Sequence, residues 1–124
     1  MPMPNKLFAI ALIPITLAVA GFAFAGESQP ATVSVDTTNK TARGTLRGAR
    51  DSSDSVQAIV CNVRSGEAYC FARQSDWTSG SCYTTDPGMV QAAGAIGPAS
   101  YVTFTWNASG YCTWIMVENG SYNL

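Results

Sequence analysis

The last quarter of the chain carries the clearest pattern. SYVTFTW (100–106) and YCTWIMVEN (111–119) alternate apolar and polar residues on either side of Asn107-Ala108-Ser109-Gly110. Alternation with period two marks a half-buried strand, and Asn, Ser and Gly cluster in turns, so the segment predicts a hairpin. Pairing Trp106 with Tyr111 sets Val102 opposite Ile115 and Phe104 opposite Thr113. One face then carries Val102, Phe104, Trp106, Tyr111, Ile115 and Val117 and is the predicted core. The other carries Tyr101, Thr103, Cys112, Trp114 and Met116, more large side chains than an ordinary wet face holds.

A second hairpin precedes it. VQAIVCNV (56–63) and AYCFAR (68–73) are β-branched and alternating, and Arg64-Ser65-Gly66-Glu67 between them is turn chemistry. DWTSGSCYTTD (76–86) reads as a loop followed by a short strand around Cys82 and Thr84. Asp86 then offers an N-cap and Pro87 a first helical residue, with Val90, Ala93 and Ile96 three apart, until Gly97-Pro98 stops the helix. Upstream the pattern fades. ESQPATVSVDTTNKTA (27–42) has too little large apolar surface to offset its ordering entropy and is predicted to be a flexible leader, although TVSV alternates and would suit an edge strand. RGTLRGARDSSDS (43–55) reads as a turn-like approach to the domain.

Residues 1–25 have the layout of a secretory signal. Lys6 supplies a positive n-region, LFAIALIPITLAVAGF is apolar, and Ala23-Phe24-Ala25 places small residues where signal peptidase reads. The alternative, a membrane-anchoring helix, is interrupted by Pro14 and Gly21 and is short for a bilayer. Cleavage before Gly26 is therefore expected, leaving a length that supports one domain. Seven basic residues face eight acidic ones. That balance offers no field for nucleic acid and no cationic face for a membrane after signal cleavage. Arg43, Arg47 and Arg50 are followed by Asp51 and Asp54, the pattern of a solvated mixed-charge surface.

Export makes disulfides the expected state of Cys61, Cys70, Cys82 and Cys112. Neither zinc nor a thioredoxin-like pair suits them, because both want CxxC spacing, which is absent. If Ser65-Gly66 form a two-residue turn, Cys61 falls opposite Cys70 at a Cα separation of about 4.5 Å, the short edge of what a disulfide accepts. The competing scheme joins Cys70 to Cys82 and Cys61 to Cys112, closing a longer loop. The two are close, and the second is slightly preferred. Cys61, CFAR (70–73), SCYTTDP (81–87), SYVTFTW and ASGYCT (108–113) together resemble a group of small exported bacterial four-cysteine proteins of unknown function. The resemblance implies export and one stapled domain, and brings no activity, ligand or catalytic residue.

The absence of histidine removes Ser-His-Asp and Cys-His hydrolysis and His-ligated metals. Glu67, Glu118, Asp76 and Asp86 are left as carboxylates for a glycosidase-like pair, the least favoured functional class. Asp51-Ser52-Ser53-Asp54 lacks the glycine and distal glutamate of a calcium loop and reads as a turn or cap. Asn107-Ala-Ser and Asn119-Gly-Ser match a glycosylation pattern that carries no weight in a bacterial chain.

The expectation is thus an α+β domain over residues 43–124: a small antiparallel sheet of about five strands with one short helix, disulfide-stapled, behind a signal (1–25) and a leader (26–42). No cofactor or metal is expected, and the chain is read as a monomer. The preferred function is non-enzymatic binding of a protein or glycan partner, in an inhibitor-like variant through the loop at 74–80. The contacts would be Trp77, Tyr83, Tyr101 and Trp114, since Trp and Tyr dominate interface energies. For Tyr101 and Trp114 a second small core under the leader or first hairpin is the preferred alternative. A structural envelope or matrix component is the second functional class.

Overall fold

The computed structural model describes Ser28 and residues 30–124; the predicted signal segment and its cleavage site lie outside these. The described residues form β1 (Ser34–Asp36), β2 (Thr41–Thr45), α1 (Leu46–Arg50), β3 (Ala58–Arg64), β4 (Glu67–Arg73), β5 (Ser79–Thr84), α2 (Pro87–Gly94), β6 (Ser100–Trp106) and β7 (Cys112–Asn119). The strands make two antiparallel sheets, one ordered β1-β2-β6-β7 and the other β3-β4-β5. Their inner faces share one core. Val33, Val35, Ala42, Val102, Phe104 and Ile115 from the first meet Ile59, Ala68, Cys70, Ala72 and Cys82 from the second. Phe104 and Val102 are fully buried at its centre, where an aromatic or branched side chain contributes about 1.5–3 kcal/mol each. α2 lies against β7, β3 and β4 and places Ala93 in the core. Among the described residues no helix is long and apolar enough to cross a membrane.

The fold is therefore mostly β, antiparallel, helix-bearing and doubly stapled, but its strands divide between two sheets of four and three. Most of the difference from about five strands lies at the N-terminal side. β1 falls within the predicted leader, and β2 spans its end and the start of the approach segment. Their apolar side chains are few, yet Val35 faces Ala42 across the β1–β2 ladder and both are buried. Gly44 permits the closeness: a Cβ there would stand 3.0 Å from the Cα of Val33. The second helix, α1, is capped by Thr45, whose hydroxyl accepts from the Gly48 N–H at 2.9 Å.

α2 starts as read, with Asp86 accepting from the Met89 N–H at 3.0 Å and Pro87 in the first turn. The β3–β4 register also matches: Arg64 opposes Glu67 and Cys61 opposes Cys70 around Gly66, whose φ of 76° suits the turn. The β6–β7 register is corrected. Val102 opposes Val117, Phe104 opposes Ile115, and Thr105 opposes Trp114, but Trp106 opposes Cys112. Thr113 is thus an extra residue, a β-bulge that reverses the side-chain parity of the strand before it. Cys112 turns inward to the core and Tyr111 outward to solvent, the reverse of the uninterrupted alternation.

The disulfides are corrected as well. The preferred pairing of Cys70 with Cys82 and Cys61 with Cys112 is replaced by Cys61–Cys70 and Cys82–Cys112. The tight turn sets the first pair directly opposite, Cα atoms 4.0 Å apart. The bulge aims Cys112 at Cys82 across the two sheets, Cα atoms 4.9 Å apart.

Candidate binding surface

Alternation along β3–β4–β5 fixes which side chains face solvent. With Cys61, Cys70 and Cys82 turned to the core, Asn62 on β3, Tyr69 on β4 and Tyr83 on β5 point outward in one row, because the ladder sets Asn62 opposite Tyr69 and Tyr69 opposite Tyr83. The row continues onto the other sheet. The Tyr83 N–H donates to the Gly110 carbonyl at 3.0 Å, and a parallel bridge sets Tyr83 beside Tyr111. Their rings stand 6.4 Å apart, centroid to centroid. Tyr69 is 43% exposed and Tyr111 56%, so three tyrosines lie side by side at a surface that water reaches.

Tyr83 is held from its far end. Its hydroxyl donates to Glu67 Oε2 at 2.6 Å, and that bond, with the carboxylate charge, raises the phenol above its ordinary value. The ring is thereby fixed over a depression of about 220 Å³ lined by Asn62, Arg64, Glu67, Ala68, Tyr69 and Tyr83. Its lining combines two aromatic rings with an amide, a guanidinium and a carboxylate.

Further along the same face stands Trp77, 65% exposed. Its backbone has a φ of 73°, a left-handed conformation that bulky residues rarely adopt. The loop holds it there. Gln74 N–H donates to the Thr78 carbonyl at 2.9 Å and Trp77 N–H to the Gln74 carbonyl at 3.0 Å. Asp76 Oδ1 accepts from Gln74 Nε2 and the Thr78 N–H, bonds that lower its carboxyl below the usual value, the Thr78 backbone bond first. Gln74 in turn accepts from the Val35 N–H at 2.8 Å, tying the loop to β1. The Arg73 guanidinium sits 4.6 Å from the Trp77 ring centroid and is itself anchored, Nε donating to the Val56 carbonyl at 2.9 Å. One face of the indole is backed by a fixed cation and the other is left to solvent.

The four predicted contacts do not form one surface. Trp77 and Tyr83 share the outer face of β3–β4–β5. Tyr101 and Trp114 project from the outer face of the four-stranded sheet. Trp114 is 51% exposed, too open for a second core, and Tyr101 is partly buried, between Thr45 and Glu118 across the ladders. Tyr69, Phe71, Arg73 and Tyr111 were missed. Tyr69 and Phe71 were within reach, because an inward Cys70 forces its neighbours out; Tyr111 was hidden by the bulge.

The candidate acids mostly serve the fold. Glu67 holds Tyr83, Asp76 closes the Trp77 loop and Asp86 caps α2. Asp54 of the DSSD stretch uses both oxygens: Oδ1 accepts from the Val56 and Gln57 N–H groups and the Ser52 hydroxyl, Oδ2 from Gln57 Nε2. The Gln57 side-chain bond, then the two backbone bonds, lower its carboxyl to about 2. Asp51 pairs with Arg47 at 3.3 Å, as the mixed-charge reading expects. Comparison with protein-family models, with curated proteins and with solved structures finds no match for the chain.

Proposed function

We propose that the protein is an exported, non-enzymatic binding domain whose contact surface is the outer face of β3–β4–β5, from Trp77 to Tyr111. The observation that carries this reading is the support given to Trp77. A large aromatic side chain is kept exposed, at a backbone conformation costing about 1–2 kcal/mol, by a hydrogen-bonded loop and an anchored guanidinium. Burial gains nothing from that arrangement, whereas an interface gains a rigid aromatic anchor with little left to order on binding. Export is supported by the N-terminal charge and hydropathy pattern and by two disulfides, which persist in oxidising compartments.

Capture of partners from culture supernatant and cell envelope by the immobilised protein tests the surface. Trp77→Ala together with Tyr69→Ala is expected to abolish capture, while Trp114→Ala, on the outer face of the four-stranded sheet, retains it. Capture that survives the first pair and is lost with Trp114→Ala would move the interface to the other sheet. Export is checked by N-terminal sequencing of the recovered protein, expected to begin at Gly26.

A further inference from the structure

We infer that the tyrosine row and the depression beside it take a neutral, unbranched glycan. This rests on the reading of the same face as a contact surface. Tyr69, Tyr83 and Tyr111 stand on neighbouring backbone segments, which in a sheet lie about 4.8 Å apart. They line up across the strands, as a run of linked sugar rings would need. Flat aromatic rings stack on the C–H faces of sugars and leave the hydroxyls free at the edges. The edges here are supplied. Asn62 offers an amide donor and acceptor, Arg64 a fork of donors, and Glu67 a second carboxylate oxygen beside the Oε2 that accepts from the Tyr83 hydroxyl.

The charge of the lining selects among ligands. Arg64 and Glu67 cancel, leaving no net field to attract a phosphodiester or a uronic acid polymer or to repel a neutral one. An apolar peptide fits less well. Among the side chains lining the depression the only aliphatic one is Ala68, and the rest carry hydrogen-bonding groups that such a peptide would leave unpaired. The depression, about 220 Å³ and open to solvent, is smaller than an ordinary drug-sized pocket, as befits a subsite for one ring of a longer chain.

The test is a glycan array followed by calorimetric titration of the disulfide-bonded protein with neutral oligosaccharides of increasing length. Affinity is expected to rise with chain length until the row is filled. Tyr69→Ala and Tyr111→Ala should each weaken binding about 3- to 10-fold, the range of one aromatic contact, with Trp114→Ala unchanged. Thermal melting of each variant separates lost binding from lost fold. Glycan binding indifferent to both tyrosine variants would overturn the inference. So would a silent array, and the capture experiment then separates the two readings. If envelope or supernatant capture still needs Trp77 and Tyr69, the surface stands and its partner is a protein; if it does not, the surface reading falls as well.

Discussion

At Trp77 three small terms nearly cancel. Substitution by glycine relieves about 1–2 kcal/mol of left-handed backbone, loses about 0.5–1 kcal/mol of guanidinium stacking, and adds about 0.5–1 kcal/mol of unfolded-chain entropy. Trp77→Gly should therefore leave stability, measured by urea unfolding, within about 1 kcal/mol of the parent while removing the proposed anchor. A tryptophan that served the core would cost several times more. Gly48 is the contrary case. A Cβ there would stand 2.2 Å from the carbonyl oxygen of Ala31 and 2.7 Å from the Thr45 hydroxyl, the groups that fasten the chain before β1 to α1. Gly48→Ala should destabilise by about 1–3 kcal/mol despite its better helix propensity, and proteolysis should cut first near residue 31.

Among the elements, the Thr113 bulge does most to set what the sequence alone reveals. The β3–β4 hairpin, α2 and the existence of β6 and β7 are legible because turn chemistry, capping and alternation agree there. One inserted residue leaves alternation intact on each side of itself and shifts only the phase, so a reading by period assigns Tyr111 to the core and Cys112 to solvent. The missed end of the tyrosine row follows from that one step, whereas the disulfide scheme went wrong on the short separation of Cys61 and Cys70, which the bond accepts at 4.0 Å between Cα atoms. β1 and β2 were hidden differently. Their buried residues are Val35, Ala42, Gly44 and Thr45, too small to raise a hydrophobic signal, and only tertiary contact makes them strands. Deleting Thr113 should remove only the extra residue, leaving Trp114 opposite Thr105 and Cys112 opposite Trp106, so the Cys82–Cys112 bond should persist and a thiol-reactive dye should find no free thiol.

For the molecule as a whole the two staples are unequal. Cys82–Cys112 joins the sheets across a sequence separation of 30, Cys61–Cys70 one hairpin across a separation of 9. In the chain-entropy account the first contributes about 3.6 kcal/mol and the second about 2.6 kcal/mol. Replacing each pair by alanine should lower the urea midpoint in that order. The response to pH should be one-sided. The chain has no histidine, the side chain that ordinarily titrates near neutrality, so the pH dependence rests on the lowered carboxyls. Asp54 is held at about 2 against an ordinary 3.8, and Asp36 and Asp76 are lowered too, Asp36 chiefly by the Asn39 backbone N–H. A depressed carboxyl stabilises fully above its ordinary value and ceases to as pH falls through the folded one. Stability should thus decline from about pH 4 toward 2, and Asp54→Asn should make that decline shallower in fluorescence-monitored urea unfolding at stepped pH.

The bond between Cys82 and Cys112 also sits one residue from Tyr83 on one side and one from Tyr111 on the other. The aromatic row is therefore stitched together from two sheets at the seam that oxidation closes. A reduced chain keeps the ladder that aligns Tyr69 with Tyr83 but loses the covalent tie that holds Tyr111 beside them, so the full length of the proposed row depends on oxidation. A newly made copy in a reducing compartment, its seam open, should hold the proposed glycan less firmly at the Tyr111 end.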